Sequence, residues 1–385
     1  MSAQSEAAST GNPQRLYQAM LLMTVVALAG CGKVNPPGES ATAPGALELV
    51  LEYTIGDGDD PDARLRGEVK SLVVDSSDNA YVLTDHNGAS VLACYDANGS
   101  LVWDVRRSGN GPGDLRYAMG LAFNGDSTLF VANQVATRID RFSVDGRFVG
   151  STPVRDIGLS RFIIAGYIQP SYLVGWESLA GEYGAKVSVI DVSGDWGVAN
   201  TFNIIQTGGR EINDQIAFPP EISVVRSRIV ASHIDEYAYD WYSTSGERVR
   251  EIVRDDVTIE PPAVWGSELG VSFTKPSRMY SMFVIGSRFV AAGGSWPAKP
   301  VSQDRRIEAA FGRGPRVARV SNLDLFDRET GALVRSLAAE SYGIKRLVGS
   351  DARGRIYAVL IGDDLAIGRF RIDGWGQVLN RASPQ

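Results

Sequence analysis

Two stretches of the sequence repeat one pattern of short apolar strands and tight turns at a separation of 49 residues. In the first, residues 72–102, an apolar strand is followed by a second strand around Tyr81 and then by a third. Residues 121–149 repeat this order, with Phe130 in the place of Tyr81. A repeat of this length, built from short strands, is typical of the blades of a β-propeller. It restricts the fold more than any single motif does.

Later parts of the chain keep the same skeleton, which gives six copies between about residues 65 and 380. Each copy has a strand that ends in a turn containing glycine, because a hairpin between the third and fourth strands needs a positive φ. These turns are Asn98-Gly99, Asp145-Gly146, Ser193-Gly194, Ser245-Gly246, Thr330-Gly331 and Asp373-Gly374. The sequence therefore predicts an all-β fold, a six-bladed propeller of four-stranded antiparallel blades over residues 47–385.

The two ends of such a ring must be joined, because an open sheet edge is a liability. Residues 47–55 alternate between apolar and polar side chains, which indicates a half-buried strand. We expect this strand to pair with the last blade, around residues 365–380, and so to close the ring.

Charge and cysteine content narrow the function classes. The net charge is −7 and no block of like charge occurs, which argues against nucleic acid as a partner because that partner needs a basic surface. The chain has two cysteines, Cys31 and Cys94. We expect Cys94 to be a small apolar side chain that fills space in the strand at 91–95. We also expect the protein to be a monomer.

The apolar run at residues 20–29 is too short to span a bilayer and has the length of a signal-peptide core. The run and the residues after it resemble the lipobox of bacterial lipoproteins, formed here by Leu28, Ala29, Gly30 and Cys31. The resemblance implies a signal peptide over 1–30, an acylated Cys31 and a flexible tether over 31–46. It also implies a place in the cell envelope: at the outer membrane or facing the periplasm if the cell has two membranes, and otherwise at the extracellular surface. The alternative is an ordinary secretory signal followed by a chance cysteine.

Part of the chain also resembles an NHL-type repeat. The matching residues are Ser108–Leu115, Gly120–Phe123, Leu129–Asn133, Arg138-Ile139 and Phe142–Val149. The chain is in this respect similar to the six-bladed propeller lipoproteins and secreted proteins of bacteria, closely over 65–150 and in outline over 160–380. It departs from the family pattern at Asn124 and Asn133, where aspartate is usual. The Gly-rich stretch 108–113 fits a turn between blades.

The loops that join the second and third strands of all blades should meet on one face around the central channel. The candidate ligand-binding residues there are Asp85, His86, Asn133, Glu177, His233, Asp235, Trp296 and Asp363. Such a face suits a cationic or polyol ligand, or Ca²⁺, which takes oxygen ligands; the alternative is a solvated rim without a ligand. His86 and His233 are the only histidines, so a three-histidine zinc site is excluded. No catalytic residue or resident cofactor is predicted.

Residues 293–320 are the largest departure from the repeat and include a short predicted helix at 302–311. We expect this insertion to cap the channel or to dock a partner, unless it is only an enlarged loop. The favoured function is a membrane-tethered propeller that binds a protein, peptide or glycan without catalysis. The alternatives are a Ca²⁺-dependent hydrolase, similar to a lactonase, with its metal in the channel, and a purely structural role in the envelope.

Overall fold

The computed structural model describes residues 47–57, 63–179, 184–205, 220–233, 236–257, 259, 264–267, 270–273, 278–298, 302–310 and 319–374. The predicted signal peptide, the tether and the lipobox residues lie outside this part of the chain, and so does Asp235. Within the described residues, no helix is long and apolar enough to cross a membrane.

Six antiparallel sheets follow one another along the chain, and we number them blades 1–6. Blade 1 contains β2 (Glu68–Val74), β3 (Ala80–His86), β4 (Ala89–Tyr95) and β5 (Leu101–Val105). Blade 2 contains β6 (Ala118–Phe123), β7 (Thr128–Asn133), β8 (Arg138–Ser143) and β9 (Phe148–Pro153). Blade 3 contains β10 (Ile163–Ile168), β11 (Tyr172–Ser178), β12 (Gly184–Asp191) and β13 (Gly197–Ile205). Blade 4 contains β14 (Ile222–Val225), β15 (Arg228–Ser232), β16 (Ala238–Tyr242) and β17 (Arg248–Val253).

A separate hairpin, β18 (Val264–Ser267) and β19 (Gly270–Phe273), precedes blade 5. Blade 5 contains β20 (Arg278–Met279), β21 (Phe283–Ile285), β22 (Phe289–Pro297), β23 (Arg319–Asp327) and β24 (Leu333–Ala338); blade 6 contains β25 (Ile344–Ser350), β26 (Ile356–Leu360), β27 (Ile367–Asp373) and β1 (Glu48–Ile55). Helix α1 (Gln303–Ala310) confirms the helix predicted at 302–311. Two short 3₁₀ turns lie at Val154–Ile157 and Ala339–Tyr342.

The N-terminal strand closes the ring, as predicted. Strand β1 pairs antiparallel with β27, in a register that sets Glu48 opposite Asp373 and Ile55 opposite Ile367. The buried apolar residues confirm the closure, because they form six clusters and each cluster lies between two neighbouring blades. One of them joins Ile55 and Tyr357 of blade 6 to Val82 of blade 1.

Most of the predicted turn glycines have the expected geometry. Gly146, for example, has φ +81°, and a Cβ there would lie 2.8 Å from the ring of Trp103 in the preceding blade. Two expectations are wrong. Gly194 does not have a positive φ; the same turn carries Trp196, which packs against Phe130 of blade 2. Gly374 has a positive φ but joins no hairpin, since the fourth strand of blade 6 is β1.

Candidate functional site

The first strands of the blades surround a central channel with a volume of about 770 Å³. Its wall is formed by β2, β6, β10, β14, β21 and β25 and by the residues that flank them. A volume of this size falls within the range of small-ligand sites. The channel is therefore a candidate ligand site.

The channel wall combines hydroxyl, charged and aromatic side chains. These are Ser71, Ser223, Ser281, Ser350, Glu68, Lys70, Arg346, Tyr167, Trp176 and Tyr280. The ammonium of Lys70 lies 2.6 Å from the Glu68 carboxylate. Arg346 of blade 6 donates a hydrogen bond to the carbonyl of Val69 in blade 1. The wall thus offers both signs of charge together with hydroxyl groups, as a polar ligand requires.

The predicted ligand-binding residues that the structure describes stand at one end of the second strands or just beyond them. None of them is among the residues that line the channel. Several also hold the scaffold together. Asp85 accepts hydrogen bonds from the Gly88 amide (2.9 Å) and the Ser90 hydroxyl (2.6 Å) and so closes the turn after β3. His86 is exposed beside this turn, and Asp363 is exposed in the loop between β26 and β27.

Asn133 is buried and fixes the Gly-rich connection between blades 1 and 2. Its amide donates to the carbonyl of Asp114 (2.7 Å) and to the carboxylate of Asp140 (3.0 Å). The other oxygen of Asp140 accepts from Arg138 (2.7 Å). Arg138 in turn donates to the carbonyls of residues 110, 111 and 114. The stretch 108–113 is therefore a connection between blades, as predicted, anchored by a buried ion pair.

Glu177 and Trp296 lie in different interblade settings. Glu177 accepts from Lys186 (3.1 Å) and from the Ser160 hydroxyl (2.7 Å), and these contacts lower its pKa although burial opposes them. Trp296 is almost wholly buried, with its ring edge-on to that of Tyr237 at 5.6 Å between centroids. Through Tyr237, the tryptophan belongs to a buried polar layer between blades 4 and 5.

That layer is centred on Asp324, which sequence reasoning did not single out. Its carboxylate accepts from the Tyr237 hydroxyl and from Arg254, the latter at 2.7 Å. Burial raises the pKa of Tyr237 well above its ordinary value, and the neighbouring carboxylate adds to the effect. The tyrosine therefore stays protonated and acts as a donor to Asp324.

His233 is held by two carboxylates. Its Nδ1 lies 2.7 Å from Glu236 and its Nε2 lies 3.0 Å from Asp240. Asp240 also accepts from Arg248 (2.5 Å) and from the Tyr242 hydroxyl (3.2 Å). Burial acts to lower the pKa of His233, but the two carboxylates raise it above its ordinary value overall.

Asp140, Asp240 and Asp324 occupy equivalent places in their blades. Each lies on the third strand, two residues before the position at which a bulge shifts the register with the fourth strand. The sequence signal is an aspartate two residues before an aromatic, in Asp140-Arg141-Phe142, Asp240-Trp241-Tyr242 and Asp324-Leu325-Phe326. An alignment of the third strands would have shown it.

The fold is shared with two solved structures from Bacteroides. One is a member of the DUF4221 family from Bacteroides vulgatus, with TM-score 0.53 and 12% identity over 86% of this chain and 99% of that chain. The other is a protein of Bacteroides fragilis predicted to be exported, with TM-score 0.50 and 11% identity over 87% of this chain and 97% of that chain. No family model matches the chain, and no curated protein matches it. At such identities the likeness is one of fold alone.

Proposed function

We propose that the chain is an exported, lipid-anchored binding protein whose central channel takes a peptide or a glycan. The observation that carries the proposal is the channel wall, in which hydroxyl, aromatic and oppositely charged side chains line one cavity of about 770 Å³. Hydroxyl groups and charges can pair with a sugar or a peptide backbone, while Trp176 and Tyr280 offer apolar faces for stacking.

The carboxylates of the channel wall favour binding over a calcium-dependent reaction. Glu68 is paired with Lys70, and Asp351 is paired with Arg355 at 2.5 Å and accepts backbone amides of its own turn. Calcium takes six to eight oxygen ligands, and two of the three carboxylates in the described part of the channel wall, Glu68, Glu221 and Asp351, are already paired with a cation.

Blocking the channel tests the proposal. The purified protein is applied to arrays of envelope glycans and short peptides, and the same arrays are probed with Ser281→Trp and Ser350→Trp, which place large rings in the channel. The matched control is Val149→Trp, at an exposed position on the outer strand β9. We expect binding to be lost in the two channel variants only. Equal binding by all four proteins, or binding by none of them, contradicts the proposal.

The anchor is tested separately. The lipobox pattern supports export, as does the similarity in fold to the Bacteroides fragilis protein predicted to be exported. Cells fed an alkyne fatty acid should label the wild-type protein and not Cys31→Ser. Label retained by Cys31→Ser would remove Cys31 as the acylated residue.

A further inference from the structure

His233, Glu236 and Glu251 bring three potential metal ligands together at the edge of blade 4. His233 follows β15, Glu236 lies in the loop before β16, and Glu251 is on β17. One ligand atom from each residue lies within 4.8 Å of the others. Among the described residues, this is the one group of three or more His, Cys, Asp or Glu side chains that meets this geometry.

The imidazole is oriented by a third carboxylate, Asp240, which lies outside this group. Asp240 accepts from Nε2 of His233 at 3.0 Å and is itself held by Arg248 and Tyr242. A metal-bound histidine almost always donates its second ring nitrogen to such a carboxylate, which fixes the tautomer. With Nε2 used in this way, Nδ1 is the nitrogen that faces Glu236.

The site is open to solvent and bears excess negative charge. The side chains of Glu236 and Glu251 are 54% and 41% exposed, so an ion can reach them without opening the blade. Arg248 contacts both Asp240 and Glu251. This arginine offsets part of the charge, and three carboxylates surround the histidine.

We propose that His233, Glu236 and Glu251 bind one Zn²⁺ ion, with Asp240 as the residue that positions the imidazole. Zinc accepts one imidazole nitrogen and two carboxylate oxygens in a four-coordinate site, with water in the fourth place. Calcium is disfavoured because it prefers oxygen ligands throughout. The zinc site lies where β15, β16 and β17 of blade 4 meet, and none of its residues lines the channel, so failure of either proposal leaves the other standing.

Titration with Zn²⁺ alone tests the site. The full-length Cys31→Ser protein is used, so that buried Cys94 is its only thiol. It is stripped of metal with a chelator and titrated by calorimetry. We expect the parent to bind one Zn²⁺ ion per chain. The affinity for Zn²⁺ should fall by about tenfold or more in His233→Gln, in Glu251→Gln and in Asp240→Asn. The matched control is His86→Gln, which removes the only other histidine and should bind as the parent does.

Cobalt provides a readout that a purely structural cluster would not give. Co²⁺ bound in place of Zn²⁺ should show visible absorption bands that are present in His86→Gln and absent in His233→Gln. Thermal unfolding of each metal-free variant confirms that it is folded. Failure of the parent to bind stoichiometric Zn²⁺, or full binding by folded His233→Gln, overturns the proposal.

Discussion

Asp140 in blade 2 and Asp240 in blade 4 occupy the same place on the third strand but bind different partners. Asp140 is fully buried and bonded to Arg138 and Asn133, which both reach on to the connection between blades. Asp240 is bonded to His233 and Arg248, whose side chains lie closer to solvent. One scaffold position can therefore hold a loop in one blade and orient an imidazole in another.

The two carboxylates also differ in their acidity. Burial raises the pKa of Asp140 above its ordinary value, against the lowering effect of Asn133 and Arg138. Burial also acts to raise the pKa of Asp240, but His233 and Arg248 lower it overall. The position in the blade thus fixes where the carboxylate lies, while its surroundings decide whether its pKa is raised or lowered.

Among the substitutions, Asp140→Ala is expected to lower the free energy of unfolding most. Arg138, whose side chain is only 12% exposed, would keep its charge without a partner, and breaking a buried pair in this way costs about 3–5 kcal/mol. Urea unfolding measures the loss. Asp145→Ala, which removes an exposed carboxylate from the turn of the same blade, is the control and should leave the midpoint essentially unchanged. A loss under about 1 kcal/mol for Asp140→Ala would contradict its role.

Asp240→Ala should cost less, about 1–2 kcal/mol, because Arg248 is 49% exposed and water can replace the lost carboxylate. The same urea series gives this value. The comparison between the two blades fails if Asp240→Ala is as destabilising as Asp140→Ala.

A smaller effect is the pH dependence of stability that Asp140 contributes in blade 2. The folded-state pKa of Asp140 is raised above the unfolded value near 3.9. Between these two values the folded protein holds a proton that the unfolded chain has released, so stability falls as pH rises through that window. Asp140→Asn lacks this proton, and its stability relative to wild type should rise with pH there. Urea midpoints from about pH 4 upward measure the trend, and a falling or flat difference contradicts it.

The sequence predicted the ring because its repeat is local. Each blade is a run of neighbouring strands, and the alternation at 47–55 identified the strand that closes the last one. The turn at Gly194 departs from the prediction although its Ser-Gly pair is the same as that at Gly246, which has φ +87°.

The site was less predictable because its contacts cross between distant segments. Tyr237 and Asp324 are 87 residues apart in sequence and share a hydrogen bond. Asn133 was chosen for its place in a loop pattern, but its buried bonds to Asp114 and Asp140 depend on how two blades meet. The positions of the candidate residues followed from the repeat, whereas their partners required the packed blades.

Closure of the ring by β1 underlies both the channel and the interblade layers, and one deletion tests it most directly. A chain without residues 47–55 loses buried Leu49 and Ile55 and the pairing with β27, so its melting temperature should fall by more than about 10 °C. Deletion of residues 36–44, in the predicted tether, should leave the melting temperature unchanged. A chain without 47–55 that melts like the wild type would contradict the closed six-bladed ring.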